Sequence, residues 1–457
     1  MTIGVSEREV LRGKRILFVS AGYEGKRFIY EKAYELGIEI TLVDSADSWS
    51  RQLVSEGIVS NYIAVDFGQS PDQVVADILA GLRSERIEVD GVCTFAEMSL
   101  LVSSKLAECL GLPGSSPEVM ALARDKHQLR KLVGDVRSYF IGSESDLAAA
   151  AEYVGFPAVL KPVSGADSLG VKKVANMLEL ELALHEVKQV VGGLVVSSGA
   201  LCRTPSPVIN NVNQLASRFI KLDLSLEEYL DGPEVDVDLV LYRGKCYFGA
   251  VVDNGPTSEP FFAETWNLSP SLLSREIQVE LINEAIRTVL AVGFTDGVFH
   301  VEERYTSKRG ARIIEVNARM GGGPIRLMHK YLYGVDLVVE QIFSALGLPP
   351  SVCMQDGPPI PLAENNKCVA SATPNAPRTG CLKSTAFLDA KIKSLPNLLG
   401  LWEFVQPGAP LVGIQQGQPS WLCEMAITGS HGSQALLEQL TEITADLIAD
   451  VENNYYL

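Results

Sequence analysis

The sequence predicts an α/β domain with a parallel sheet at the start of the chain, followed by α+β lobes with antiparallel sheets. Up to about residue 95, short apolar runs alternate with helical stretches, which is typical of parallel strands joined by crossover helices. Beyond residue 155 the pattern changes to β-hairpins, most clearly in the strictly alternating segment 234–242 (EVDVDLVLY). With 457 residues, the chain is also too long for one compact core.

Composition and charge exclude several classes of protein. The formal net charge of −17 argues against a broad nucleic-acid or anionic-membrane surface, because phosphate groups are bound by summed positive charge. The eight cysteines form no CxxC pair, so we interpret them as reduced structural thiols. No signal-peptide pattern opens the chain, and no apolar run reaches about 18 residues. We therefore expect a cytoplasmic protein with no nucleic-acid or membrane partner.

The first apolar runs, residues 15–20, 39–43 and 91–95, are predicted to be parallel strands, with a helix ending near Gly37. Segment 20–25 (SAGYEG) has two interpretations. It is either the phosphate loop of a nucleotide-binding Rossmann domain or a turn that caps a strand in a substrate-binding domain. The full GxGxxG spacing is absent, which favours the turn.

The middle of the chain predicts a linker and a first hairpin. A helix should start at the N-cap Ser116 and continue through residues 126–133, linking two lobes. Residues 156–161 and 171–175 are predicted to form a hairpin, with a helix after it. Segment 191–225, rich in Gly, Ser, Asn and Pro, is predicted to be a long loop.

The next elements predict a larger antiparallel sheet. Segment 234–242 should be a half-buried strand, turned by residues 243–245 into the strand that follows. A helix at 274–292 then precedes a hairpin of residues 297–304 and 311–317.

The end of the chain predicts short strands and a final amphipathic helix near residues 433–451. Together these patterns divide the chain into an N-terminal α/β domain, a linker helix with a small lobe, a large lobe, and a C-terminal α+β extension. The expected segments are residues 1–115, 116–229, 230–340 and 341–457.

The hairpin that ends at Asn317 carries the acids most informative about chemistry. If its turn centres on residues 308 and 309, Glu302 lies opposite Glu315 and His300 lies opposite Asn317, all on one face. Two adjacent carboxylates repel each other unless a cation lies between them. Mg²⁺, with Mn²⁺ as an alternative, prefers such ligands, and the amide adds a neutral oxygen. The competing interpretation is a solvated hairpin with acids on its wet face.

The residues after this hairpin are suited to an anion. Arg319 is able to reach a phosphate beside the metal. The glycines that follow, including Gly322 and Gly323, let backbone N–H groups approach it. The role of His300 is open between a general base for an amine and a residue of the metal shell or the core.

Upstream segments offer groups for the phosphates of a nucleotide. Lys161 ends an apolar strand beside a glycine-containing loop whose backbone is free to fold over phosphate oxygens. The loop residues expected to contact the nucleotide are Ser164, Gly165, Ser168 and Gly170. The alternative is a lysine that extends from a strand end into solvent.

Segment 227–234 (EEYLDGPE) is suited to the nucleoside part. Extended backbone offers N–H and C=O groups to a purine edge, and a carboxylate nearby accepts hydrogen bonds from ribose hydroxyls. The candidates are Glu227, Glu228, Tyr229, Leu230 and Glu234. A plain acidic turn is the alternative.

Taken in order, these residues resemble the ATP-grasp superfamily, and more closely its L-amino acid ligase and carnosine-synthase-like branch, over roughly residues 115–335. The motifs that carry the resemblance are Lys126, Lys161 with its glycine loop, residues 227–230, Glu234, Glu302 and residues 315–319. The resemblance implies an ATP-grasp fold, in which two α+β lobes grip ATP, preceded by an α/β domain and followed by a β-rich extension. It implies phosphate contacts from Lys126 and Lys161, adenine at 227–230, ribose at Glu234, and Mg²⁺ at Glu302, Glu315 and Asn317.

The branch depends on Arg326, which would face a carboxylate or acyl phosphate, and on Glu264, which would recognise an amine. Asn267 stands where similar ligases tend to carry a polar ring residue. The resemblance implies a ligase that joins a small-molecule carboxylate to an amine, both amino-acid-like, with release of ADP and phosphate. Arg319 and Arg326 would stabilise the reacting oxygens, and a homodimer is expected because such ligases are often dimers. The alternatives are an ATP-grasp carboxylase or nucleotide-biosynthesis ligase, and a non-catalytic ATP-binding regulator.

Overall fold

The computed structural model describes residues 6–163, 170–192, 195–197, 200–202, 223–354, 361, 366–414 and 419–457. Across these residues, three sheets of four, four and eight strands organise the chain. None of the helices described is long and apolar enough to cross a lipid bilayer.

The first sheet is parallel, with the strand order β3-β2-β1-β4, as the alternating pattern predicts. Its strands are β1 (Arg15–Val19), β2 (Glu39–Asp44), β3 (Asn61–Ala64) and β4 (Gly91–Cys93). The helices of this segment are α1 (Glu7–Leu11), α2 (Arg27–Glu35), α3 (Gln52–Ser55), α4 (Pro71–Glu85) and α5 (Leu100–Leu110).

The linker consists of two helices, so the prediction of one continuous helix is wrong. They are α6 (Pro117–Arg124) and α7 (Lys126–Val133). Between them Asp125 has extended backbone angles, and its carboxylate accepts a hydrogen bond from the backbone N–H of Gln128 at 2.9 Å. A side chain that caps a new helix ends the old one. The break places Lys126 at the first position of α7, where its N–H bonds the carbonyl of Val163 at 3.1 Å.

The second sheet is antiparallel, with the order β5-β10-β6-β7. Its segment contains β5 (Ser138–Ile141), β6 (Ala158–Pro162), β7 (Lys172–Val174), a separate hairpin of β8 (Val195–Ser197) and β9 (Ala200–Cys202), and β10 (Leu224–Glu228). Helices α8 (Leu147–Val154) and α9 (Met177–Gly192) accompany it. The prediction of a long loop at 191–225 is wrong where the chain is described, because the end of α9, the strands β8 and β9, and the start of β10 lie there. Residues 193–194, 198–199 and 203–222 lie outside the described ones.

The third sheet is antiparallel and has the order β15-β14-β11-β12-β13-β16-β20-β18. Its strands are β11 (Glu234–Tyr242), β12 (Lys245–Asn254), β13 (Trp266–Ser269), β14 (Gly297–Thr306), β15 (Gly310–Asn317), β16 (Cys368–Ala372), β18 (Leu398–Glu403) and β20 (Cys423–Gly429). A separate two-stranded sheet consists of β17 (Gly380–Cys381) and β19 (Pro410–Leu411). The helices are α10 (Arg275–Val292), α11 (Ile325–Tyr333), α12 (Leu337–Ala345) and α13 (Ser433–Asn454). The C-terminal strands thus extend the sheet of the preceding segment, and the division at residue 340 stays a prediction.

Strand β11 is buried on both faces, so the prediction of a half-buried strand is wrong. Val235, Val237 and Leu239 pack in the core that contains α10. On the other face Asp236 and Asp238 are buried as well. The alternation of apolar and acidic residues therefore separates the helix-covered face from the face that carries the site, and does not mark a solvent-exposed face.

We predict that Glu303→Gln stabilises the protein. Glu303 is fully buried on β14, and neither carboxylate oxygen has a hydrogen-bond partner among the described residues. Burial, together with the charge of Glu284, raises its pKa well above 4.5. When the pKa of an acid is higher in the folded state than in the unfolded state, the protein loses stability as the pH rises above the pKa of the unfolded state. The gain in unfolding free energy should therefore grow between about pH 5 and pH 8, by up to about 1.4 kcal/mol per pH unit.

Urea unfolding across that pH range measures the gain, with Glu39→Gln at the exposed end of β2 as the control. A Glu303→Gln protein that is less stable than the wild type at about pH 8 would contradict this interpretation.

Candidate active site

A large cleft of about 1230 Å³ opens between the small sheet and the large sheet. This volume exceeds that of most small-molecule sites, so it is large enough for a nucleotide and a second substrate. The sequence-predicted residues that line it are Lys126, Lys161, Glu227, Glu228, Tyr229, Leu230, Glu234, Glu264, His300, Glu302, Glu315, Arg319, Gly322 and Gly323. Ser164, Gly165 and Ser168 lie outside the described residues, and Gly170 adjoins the lining residue Val171.

The predicted pairing of β14 with β15 is confirmed: Glu302 lies opposite Glu315, and His300 opposite Asn317. The turn differs from the prediction, because Thr306 pairs with Gly310 and the loop has three residues. A β-bulge at Ile314 adds one residue to β15 and restores the predicted register beyond it. A residue of the linker stabilises the bulge: Arg130 of α7 donates a hydrogen bond to the carbonyl of Ile314 at 3.0 Å.

The two facing glutamates are in different electrostatic states. Burial and the neighbouring charges of Glu315 and Asp236 raise the pKa of Glu302 well above its ordinary value. Burial would also raise the pKa of Glu315, but the ion pair with Lys126 at 2.6 Å lowers it. One acid of the pair is therefore neutralised by a lysine, and the other is destabilised as a carboxylate.

Glu227 connects the predicted phosphate lysine to the linker. Its Oε2 accepts from Lys161 Nζ and from Arg130 Nε, each at 2.8 Å, and all three residues are buried. Burial next to Arg130 and Lys126, opposed by Glu227, lowers the pKa of Lys161 to about 8. The side chain of Glu227 thus holds two cations, which leaves its backbone for any contact with a base.

The predicted nucleoside wall is also stabilised by ion pairs. Glu234 binds Arg304 through Oε2 at 2.7 Å, and the same guanidinium donates to the carbonyl of Leu230 at 3.2 Å. Tyr229 donates to Glu259 at 2.8 Å. These contacts hold the segment between β10 and β11 at the edge of the cleft.

His300 belongs to a buried network that was missed from the sequence. Asp238 bonds His300 Nδ1 at 3.0 Å and His329 Nε2 at 2.8 Å, and Asp236 lies 3.7 Å from His300 Nε2. Burial would lower the pKa of His300, but the two aspartates raise it to about 10. A histidine that is already protonated does not accept a proton from an amine, so the geometry favours a fixed cation over a general base.

The two predicted arginines have different environments. Arg319 lies in the cleft, where its Nε bonds Glu97 at 2.9 Å and Arg124 bonds the same carboxylate at 3.2 Å. Arg326 does not line the cleft, so the expectation that it faces an acyl phosphate is corrected. It is buried on α11 in a two-point ion pair with Asp336, both contacts 2.6 Å, because the capping residue of α12 lies within its reach.

Other residues of the site were not identified from the sequence. Glu97, Asp236 and Glu424 line the cleft, and Asp238 and His329 support it. The acids that alternate along β11 were a usable signal, because they share the face of Glu234. No sequence signal pointed to Glu97 or Glu424, because each reaches the cleft from a distant segment of the chain.

The donor set fits a hard divalent cation. The described residues include no group of three or more His, Cys, Asp or Glu side chains arranged to hold a metal. Two facing carboxylates, with the amide of Asn317 on the same strand, suit an ion that takes its remaining oxygens from phosphates and water, as Mg²⁺ does.

Comparison with known families adds the decisive observation. Residues 30–114 match the ATP-grasp N-terminal domain, and residues 206–326 match the ATP-grasp domain. The chain contains both of these ATP-grasp domains. The second match ends at Arg326 and includes both glutamates of the facing pair.

Relatives of this ATP-grasp protein include carnosine synthase 1 of Homo sapiens, 32% identical over 76% of this chain and 41% of the relative. The alanine–anticapsin ligase of Bacillus subtilis is 24% identical over 60% of this chain and 57% of the relative. The chain thus spans about two fifths of the carnosine synthases it matches. Among solved structures, the L-amino acid ligase from Bacillus licheniformis has the same fold, with a TM-score of 0.75 at 20% identity, covering 95% of this chain and 98% of that one.

In this ATP-grasp protein, Asp238→Asn should lower the pKa of His300 from about 10 toward the ordinary value near 6.5, because one of the two facing carboxylates is lost. With five histidines in the chain, a pH titration followed by NMR after histidine-selective labelling resolves the change. If His300 of the wild type titrates near 6.5, the fixed-cation interpretation is wrong.

Proposed function

We propose that this chain is an ATP-dependent carboxylate–amine ligase. It would join two amino-acid-like substrates by an amide bond through an acyl-phosphate intermediate and release ADP and phosphate. The chain covers well under two thirds of the length of its carnosine-synthase relatives. The proposed activity is therefore argued from the residues of the site and not from the activity of those relatives.

One observation carries the proposal: the facing Glu302 and Glu315 open into the same cleft as Lys126, Lys161 and Arg319. Phosphoryl transfer depends on positioning and on charge stabilisation more than on covalent help from the protein. A cleft that combines cation-binding acids with lysines and an arginine supplies both.

In the first step, a carboxylate oxygen of one substrate attacks the γ-phosphorus of ATP in line, the bond to the bridging oxygen breaks, and ADP leaves. Lys126 and Lys161 would orient the phosphates, residues 227–230 the adenine, and Glu234 the ribose. Arg319 would contact the transferred phosphoryl group, where charge develops. A Mg²⁺ held by Glu302, Glu315 and Asn317 would neutralise phosphate charge when bound.

In the second step, the amine of the other substrate attacks the acyl carbon, phosphate leaves, and the new amide nitrogen loses a proton. Arg319 would stabilise the oxyanion of this step. An acyl phosphate is readily hydrolysed, so the cleft must exclude water. Gly170, which adjoins the lining residue Val171, would contact the phosphates.

A mixed screen of amino acids with Mg-ATP tests the function directly. Wild-type protein should release ADP and phosphate in step with a new amide found by mass spectrometry. Alanine belongs in the screen, because the alanine–anticapsin ligase is named for it. Turnover with bicarbonate or a ribonucleotide amine instead would favour the carboxylase or nucleotide-ligase alternative, and ATP binding without turnover would favour a regulator.

Lys126→Ala should lower ADP release by roughly 100-fold or more, because it removes a charge from the phosphates and from Glu315. Lys131→Ala is the matched control, since Lys131 is exposed on the same helix. Equal activity of Lys126→Ala and Lys131→Ala would remove Lys126 from the site.

Chelation of divalent ions should abolish ADP release, and Mg²⁺ or Mn²⁺ should restore it, because two acids facing a polyphosphate repel it without a cation. Glu315→Gln should require a higher Mg²⁺ concentration for half-maximal rate, while Glu403→Gln on β18 should not. Unchanged activity in excess EDTA would contradict the metal assignment.

A further inference from the structure

The cleft contains a buried acid for which the proposed chemistry has no use. Glu424 of β20 lines the cleft, is only 8% exposed, and has no hydrogen-bond or ion-pair partner among the described residues. An isolated carboxylate is costly to bury, and buried polar groups are nearly always paired. A buried, unpaired carboxylate of this kind is suited to bind a polar or cationic group of a ligand.

Glu424 lies directly against the segment that follows the proposed metal strand. A Cβ atom added to Gly323 would lie 2.6 Å and 2.7 Å from its two carboxylate oxygens. Gly323 also has a φ of +49°, a conformation that L residues rarely adopt. The glycine therefore makes room for the acid, four residues beyond Arg319.

The other candidate acid of the cleft has a different environment. Glu264 is exposed and has a partner in the protein, whereas Glu424 is buried. Burial raises the pKa of Glu424 to about 8. A cationic ligand group would reverse that shift, since an opposite charge favours the ionised form.

We infer that Glu424 binds the ammonium group of the amino acid whose carboxylate is activated. This inference rests on the proposed ligase function and adds the class of donor, an amino acid with a free ammonium group. When two amino acids are joined, the donor's own amine must not react. A carboxylate in contact with that amine keeps it protonated and therefore non-nucleophilic. The same contact orients the donor with its carboxylate toward Arg319.

The test compares Glu424→Gln with wild type, using the donor identified by the amino-acid screen. The KM for this donor should rise at least about tenfold, because a charge-assisted hydrogen bond is lost. The KM values for ATP and for the amine acceptor should stay within about twofold of wild type. Glu403→Gln is the control, because Glu403 lies on the neighbouring strand β18, pairs with Lys393 and does not line the cleft.

The donor without its amino group provides a second readout that needs no change in the protein. For L-alanine or β-alanine, this analogue is propionate. In wild type its KM should be at least about tenfold higher than that of the amino acid, and Glu424→Gln should not change it further.

An unchanged donor KM in Glu424→Gln, or an effect on the acceptor KM instead, would overturn the inference and leave the ligase function intact. A wild-type protein that forms no amide with any pair would overturn the ligase function, and the inference with it.

Discussion

Repulsion between two facing carboxylates is the constraint on which the rest of this site depends. Glu302 and Glu315 are brought together by the register of β14 with β15, on a face that is largely removed from water. Lys126 neutralises one of them at 2.6 Å, while burial raises the pKa of the other. Under the proposed function, a cation between them would relieve the repulsion, and a polyphosphate would supply the remaining ligands that such a cation needs.

Contacts between the lobes keep this pair in position. Because the helix breaks at Asp125, α7 begins at Lys126. Arg130 of the same helix donates hydrogen bonds to Glu227 and to the carbonyl of Ile314 at the bulge. One linker helix therefore connects the small sheet with the proposed metal strand. Because these charges are buried and mutually paired, loss of one leaves another unpaired, which costs more than loss of a surface pair.

The sequence predicted the features that depend on local pattern and missed those that depend on distant partners. The bounds of β11 follow from alternation along the strand. The pairing of Glu302 with Glu315 was predicted from an assumed turn at residues 308 and 309, and it holds because the bulge at Ile314 offsets the different turn. The turn prediction was wrong, because the bulge at Ile314 has no local signal. Arg326 was placed near the chemistry by resemblance, yet Asp336 lies within reach and binds it. Glu424 could not be found, since it reaches the cleft only through the long-range pairing of β20 with β16 and β18.

Crystals grown with Mn²⁺ and a non-hydrolysable ATP analogue test the central claim most directly, because anomalous scattering locates the ion. We expect a peak within about 2.0–2.3 Å of carboxylate oxygens from both Glu302 and Glu315, with the triphosphate between Lys126 and Lys161. A metal bound elsewhere, or a nucleotide bound away from this pair, would contradict the account.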